Sequence, residues 1–373
     1  MTGMTEHTGL ILDGTKLPWH LDRVRAWERG ERIAPITIDM ALTRACNYGC
    51  EFCYAMLQEN DRKTIDRNVI HGFLDDCAEL DVRGISFVSD GESTISPVFA
   101  DAVVYGSTLG LSMACGTNGF IFNRRKLEEL LPHLTYLRIN ISAGEPHRYA
   151  EIMGVREEWF HRVVANIRDM VDIKRTRGLG VTIGLQMVLM PQYRDQILPL
   201  ARLGKELRPD YLVIKHCSDD ENGALGVDYA AYAELEGLLH EAEALSDAEY
   251  SVRVKWSKIR ADGKRGYQRC YGAPFMLQIS GSGLVAPCGM LFNERYKKFH
   301  IGNIVEERFR DIWASDQYWN VMNYLASPDF NAQTMCGSLC LQHKVNEMLD
   351  AHRKGHLPIA APTGPEPAHI AFV

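Results

Sequence analysis

From Ile36 onward, β-rich apolar runs alternate with helical stretches, and this alternation limits the available folds more than any other feature of the chain. The runs are ITIDMALT, GISFVSDGE, LSMACGTNG, YLRINISAG, VTIGLQMVLMP and YLVIKHCSDD. Between them the pattern predicts helices over Ile65–Leu80, Arg125–Leu134, Trp159–Arg177 and Gln196–Leu207. Strands separated by helices form right-handed βαβ units and a parallel sheet. Six such units fit a partial (βα)6 TIM-like barrel of the α/β class better than a closed barrel of eight.

After a predicted helix over Tyr229–Leu245 the texture changes. FMLQISGSGLVAPC reads as a β-hairpin, because Gly281-Ser282-Gly283 separates two apolar alternations. Helices are predicted over Glu307–Leu325 and Leu341–Arg353. The expected organisation is a polar lead-in (1–35), the barrel (36–225), a linking helix and strand (226–261), a small hairpin-plus-helix domain (262–350) and a tail (351–373). The tail is rich in Pro and Ala and is expected to be extended or mobile. A length of 373 residues suits one barrel with an appendage. A net charge of −7 gives no basic footprint for nucleic acid. Apolar runs are short and broken by charge, so no membrane span is expected. The opening MTGMTEHTGLILDG lacks the basic and apolar regions of a signal peptide, which makes the cytoplasm the expected location.

Ten cysteines are many for such a chain, and a reducing compartment argues against a disulfide framework. Seven sit in short-spaced or glycine-flanked settings suited to metal ligation; Cys77, Cys115 and Cys217 stand alone. The strongest pattern is Cys46-Asn-Tyr-Gly-Cys50-Glu-Phe-Cys53, directly after the first barrel strand. Three thiolates so spaced can bind three irons of a cubane and leave the fourth open to a chelating substrate group. Zinc is the alternative, but structural zinc takes four N or S ligands, which this loop alone does not supply.

C-x3-C-x2-C after the first strand, with aromatic Phe52 before the last Cys, resembles the radical S-adenosylmethionine (SAM) superfamily. The resemblance covers about Pro35 to Asp220. It implies a [4Fe–4S] cluster on Cys46, Cys50 and Cys53 that cleaves SAM reductively. Asp90-Gly91-Glu92 resembles the family's Gly-Gly-Glu segment, with Asp in place of the first Gly, and implies that Glu92 accepts from the SAM ammonium. The same resemblance places Thr117, Asn118, Asn140, Ser142, Gln186 and Met187 around SAM. It also implies an external one-electron reductant such as flavodoxin or ferredoxin.

Cys270, Cys288, Cys336 and Cys340 follow in the C-terminal region. CYGAPFMLQISGSGLVAPCGM, with HIGNIVEERFRDIW after it, resembles the SPASM/twitch extension of a subset of these enzymes. Four cysteines imply one auxiliary [4Fe–4S] cluster; a four-cysteine zinc ribbon is the alternative these spacings leave open.

Cys217 closes the sixth strand, where side chains face the catalytic mouth of a barrel. A thiol there can return a hydrogen atom to a substrate radical, and a buried structural Cys is the plain alternative. The first functional expectation is a redox-neutral epimerase of a sugar or aminocyclitol in natural-product assembly, with Cys217 as donor. Alcohol dehydrogenation with the auxiliary cluster as electron acceptor is the second. Maturation of a ribosomal peptide is the third, and an electron-transfer or zinc-binding module without SAM is the non-enzymatic alternative. Lys215 and His216 are candidate acid–base or anchoring groups, but strand alternation keeps them from pointing inward together.

Overall fold

Strands β1 (Thr37–Met40), β2 (Gly84–Phe87), β3 (Ser112–Thr117), β4 (Tyr136–Asn140), β5 (Thr182–Leu189), β6 (Tyr211–His216) and β7 (Ser251–Val254) pair in parallel in chain order. This computed structural model describes residues 9–58, 61, 63–338 and 340–373; the first eight residues of the lead-in lie outside them. The six βα units are present, and β7, from the expected linking segment, adds a seventh parallel strand. The hairpin forms as β8 (Met276–Ile279) and β9 (Leu284–Ala286), with β10 (Gly302–Asn303) beyond it. The sequence did not announce that β8 pairs in parallel with the free edge of β1, Thr37 opposite Met276 and Met40 opposite Ile279. Barrel and hairpin therefore share one sheet.

Helices cap where the sequence provides side-chain acceptors. Asp66 takes the amides of Asn68 (2.9 Å) and Val69 (3.1 Å) to start Arg67–Glu79, and Asn123 takes that of Lys126 (3.0 Å) to start Arg124–Leu130. The single helix expected over Glu307–Leu325 is two, Phe309–Ala314 and Asp316–Ala326. Ser315 sits between them in extended conformation and accepts from the Tyr318 amide at 3.2 Å, capping the second. Helices Leu21–Glu28, Phe99–Thr108 and Pro146–Met153 were not foreseen.

The outward residues of the strands, among them Ile38, Phe87, Ile139, Leu185 and Ile214, are buried under the helices in the main core. Each buries roughly 1.5–3 kcal/mol of transfer free energy. Their inward neighbours are polar, including Asp39, Ser86, Arg138, Asn140, Gln186 and Lys215. A parallel sheet covered on both faces has apolar residues on both, so this interior is built for something other than packing.

The tail, expected to be extended or mobile, forms no helix or strand after Arg353 and is anchored at its end. Ala371, Phe372 and Val373 are buried at the N-terminal end of the strands. Thr37 Oγ1 donates to the Ala371 carbonyl (2.8 Å), Lys16 Nζ to that of His369 (2.9 Å), and Phe372 packs on Tyr136 at 5.0 Å between ring centres. Among the described residues no helix is long and apolar enough to cross a membrane.

Candidate active site

The loop from Ala41 to Cys53 leaves β1 at the C-terminal end of the sheet. Two glycines grip its start. A Cβ on Gly91 (φ +150°) would stand 2.1 Å from the Thr43 carbonyl oxygen, and one on Gly281 would stand 2.2 Å from the Thr43 carbonyl carbon. The Thr43–Arg44 peptide is thus clasped between the turn after β2 and the hairpin turn after β8. Asp90 holds this clasp. Ser280 Oγ donates to Asp90 Oδ2 at 2.6 Å, the Gly281 amide donates to Oδ1 at 2.9 Å, and Arg44 Nε lies 3.1 Å from Oδ2. The Asp that departs from Gly-Gly-Glu is therefore the residue that fastens the hairpin to the cysteine loop. At the loop's far side the Gly49 amide donates to Met153, and a Cβ on Gly154 (φ +62°) would meet the Gly49 oxygen at 2.3 Å.

Glu92 is buried and bonded at both carboxylate oxygens. Its Oε1 accepts from Thr94 Oγ1 (2.6 Å), the Thr94 amide (3.2 Å) and Thr117 Oγ1 (2.8 Å); its Oε2 accepts from the Asn118 amide (2.8 Å). The Glu92 amide donates to Ala45, and Asn118 Nδ2 donates to Asn47 Oδ1 at 2.8 Å. The structure thus brings Asp90, Gly91, Glu92, Thr117 and Asn118 into one network joined to the cysteine loop. Burial raises the Glu92 pKa against these bonds.

Asn140 and Gln186 pair across β4 and β5, with Gln186 Nε2 donating to Asn140 Oδ1 at 2.8 Å on the inner face. Ser142 is fully buried and accepts from the Val188 amide. Met187 needs correction. Strand alternation turns it away from Gln186, and it is wholly buried in the main core on the helix side, where it cannot line a SAM pocket.

Cys217 reaches the same loop from the other wall. Its Sγ lies 3.8 Å from the Phe52 carbonyl oxygen. Two tyrosines hold its backbone: the Cys217 amide donates to the Tyr232 oxygen (3.1 Å), and Tyr229 Oη donates to the Cys217 carbonyl (3.1 Å). Burial pushes the Cys217 thiol up to about 12, so it stays protonated at neutral pH. Lys215 points inward, whereas His216 is 1% exposed and packs near the rings of Tyr229 and Tyr232.

Cys270, Cys288, Cys336 and Cys340 line a single cavity. Cys288 follows β9, and Cys336 and Cys340 lie on the loop before helix His343–Arg353. Asn346 Nδ2 donates to Cys270 Sγ at 3.6 Å, and Gln342 Nε2 ties together the Met276 (2.6 Å) and Pro287 (2.7 Å) carbonyls. Arg265 stands beside Cys336 and Cys340, and Lys258 Nζ donates to the Cys340 carbonyl at 2.6 Å. Four thiols lining one cavity with two cations beside them are the donor set of an auxiliary iron–sulfur cluster. On the β1 loop, Cys46, Cys50 and Cys53 lie within electrostatic reach of one another on a backbone pinned at both ends, the donor set of a cluster with one open corner.

Sequence reasoning missed Arg44, Asn47, Ser280, Lys258, Arg265, Gln342 and Asn346. Gly281 was the available signal, but it reads as a turn glycine when its role is close approach.

Comparison with known proteins agrees with this geometry. The family model described as "Radical SAM superfamily" matches residues 40–203, and the SPASM model, described as "Iron-sulfur cluster-binding domain", matches 270–340. The tungsten-containing aldehyde ferredoxin oxidoreductase cofactor-modifying protein of Pyrococcus furiosus is 22% identical over 297 residues, covering 75% of this chain and 81% of its own. The AdoMet-dependent heme synthase of Methanosarcina barkeri is 23% identical over 338 residues, covering 84% and 90%. Streptococcus suis SuiB bound to S-adenosylmethionine shares the fold with a TM-score of 0.63 at 16% identity, over 83% of this chain and 72% of that one.

Proposed function

We propose, for a chain that carries a radical SAM domain and a C-terminal SPASM iron–sulfur domain, a redox-neutral epimerisation with Cys217 as the hydrogen donor. The observation that carries this reading is the placement of the Cys217 thiol beside the cysteine loop, on the wall of the mouth opposite the Glu92 network. Cys46, Cys50 and Cys53 would hold a cluster whose chemistry, when bound, would be the one-electron cleavage of SAM to methionine and a 5′-deoxyadenosyl radical able to take a hydrogen atom from carbon.

The protein's own residues do the rest. Glu92, held by Thr94, Thr117 and Asn118, presents a buried carboxylate to the SAM ammonium, and the Asn140–Gln186 pair lines the inner wall beyond it. The protonated Cys217 gives its hydrogen atom to the substrate carbon from the opposite face and is left as a thiyl. An electron and a proton would then restore the thiol, the electron coming from an external flavodoxin or ferredoxin. Lys258, on the Cys340 carbonyl and within electrostatic reach of Lys215, sets the four-thiol cavity next to the barrel interior. A sugar or aminocyclitol is the substrate class of this reading. The second reading, two-electron oxidation of an alcohol carbon, draws support from the same adjacency of the four-thiol cavity to the barrel.

The test uses anaerobically reconstituted full-length protein, SAM, reductant and a panel of sugars and aminocyclitols in D2O. Epimerisation gives an isomer carrying one solvent deuterium, and Cys217→Ala abolishes the deuterated isomer while 5′-deoxyadenosine still forms. A product lighter by two hydrogens and indifferent to Cys217→Ala establishes oxidation instead. About eight irons per chain are expected, falling to about four in a Cys46/Cys50/Cys53→Ala variant.

A further inference from the structure

Strands β1, β4 and β6 are not neighbours in the sheet, yet Asp39, Arg138 and Lys215 lie within electrostatic reach of one another. Side chains on separated strands meet only across the inside of a curled sheet. Lys255, directly after β7, reaches the same Lys215 and Arg138. Arg253 lies opposite inward-facing Val213. Its Nε, like that of Arg138, is buried and has no acceptor. Neither the Lys215 nor the Lys255 ammonium has a hydrogen-bond acceptor or a carboxylate within 4.0 Å among the described residues. Opposing these cations are Asp39 and, more distantly from Lys255, Asp13.

The interior is also open. Val88, Gly116, Asn140, Val188 and Lys215 stay partly accessible, while Phe87, Cys115, Ile139, Leu189 and Ile214 beside them are buried. Burial lowers the pKa of both lysines, Lys215 to about 7, because an unpartnered cation costs stability, and a fold keeps such groups where a ligand supplies the missing charge. The Glu92 network at the ends of β2 and β3 and the Asn140–Gln186 pair make no hydrogen bond to these cations. We infer that the barrel interior binds a substrate bearing an oxyanion, a carboxylate or a phosphate, held by Lys215 and Lys255 with Arg138 and Arg253 around it. Calling that anion a substrate rests on the radical SAM reading; the binding site itself does not.

The test is calorimetric titration of the reconstituted full-length protein with inorganic phosphate, pyrophosphate and citrate, at ionic strength matched with sodium chloride. Binding is expected for at least one of them, with phosphates and citrate separating the two anion sources. Lys215→Gln/Lys255→Gln is expected to weaken that binding by about tenfold or more while its melting temperature stays at or above wild type. Asp39→Asn, which removes the opposing carboxylate, is expected to tighten binding severalfold. The inference is overturned if no anion binds beyond the chloride control, or if the double lysine variant binds equally well. Should the double variant not fold, unchanged or weaker binding by Asp39→Asn overturns it. Formation of 5′-deoxyadenosine by wild type is measured separately, and its absence would remove the radical reading while leaving the anion result intact.

Discussion

Gly281→Ala offers the sharpest test of how the hairpin is joined to the barrel. The added Cβ would lie 2.2 Å from the Thr43 carbonyl carbon, 2.5 Å from the Arg44 nitrogen and 2.6 Å from the Thr43 oxygen. All three are backbone atoms, so no side chain can swing aside, and clearance needs a separation of about 1 Å. That movement breaks the two bonds onto Asp90, at 2.6 and 2.9 Å. Hydrogen bonds to a buried charge contribute about 1.5–3 kcal/mol each, so a loss of about 3–6 kcal/mol is expected. For a chain of 373 residues that corresponds to a fall of roughly 4–8 °C in melting temperature. Because the displaced peptide leads into Cys46, iron retention at the first cluster should fall as well. Gly237→Ala is the control, since a Cβ there meets nothing within 4 Å, and it should leave both readouts unchanged. If Gly281→Ala melts within about 1 °C of wild type and keeps its iron, the clasp described here does not exist.

Glu92→Gln puts an amide where Oε2 or Oε1 now accepts, and either orientation sets donor against donor. A stability loss of about 1–3 kcal/mol is expected by chemical denaturation, with weaker SAM binding by calorimetry. Phe372→Ala empties the floor of the barrel and should cost about 3–5 kcal/mol, read as a lower urea midpoint at unchanged m-value. His369, whose Nε2 lies 2.7 Å from Thr182 Oγ1, has its pKa lowered by burial and by Lys16 from 6.5 to about 3. The unfolded chain therefore binds a proton below about 6.5 and the native chain only near 3, so stability falls as the pH drops through that window. Between pH 7 and 5 this one group accounts for about 2 kcal/mol, and His369→Asn, suited to the left-handed backbone there (φ +61°), should flatten that part of the denaturation-versus-pH curve.

Much of this molecule was readable before any coordinates, for a physical reason. Short-range patterns encode strands, a hairpin and a three-thiol loop, and the strands and hairpin appear where the pattern puts them. What was hidden depends on partners distant in sequence. Nothing near Asp90 announces that it bonds residues 280 and 281, and nothing in MLQI states that it will pair with TIDM. Met187 failed for a different reason: a motif position marks a strand, while the pleat decides which of two adjacent side chains faces the ligand. The tail keeps the irregular course that Pro and Ala imply, while its anchoring by a few buried bonds had no local signal.

The parallel pairing of β8 with β1 sets a timetable for synthesis. Until residues 276–279 emerge, the strand that leads into Cys46 has an unpaired edge, and the peptide after it lacks one half of its clasp. At translation rates of about 5–20 residues per second, the roughly 240 residues in between leave that edge bare for about 10–50 s. Iron delivered during that interval would meet thiols on an unfinished loop. Metal loading thus belongs after translation, and a nascent chain halted before the hairpin would be a ready substrate for strand-capturing chaperones and edge-to-edge association.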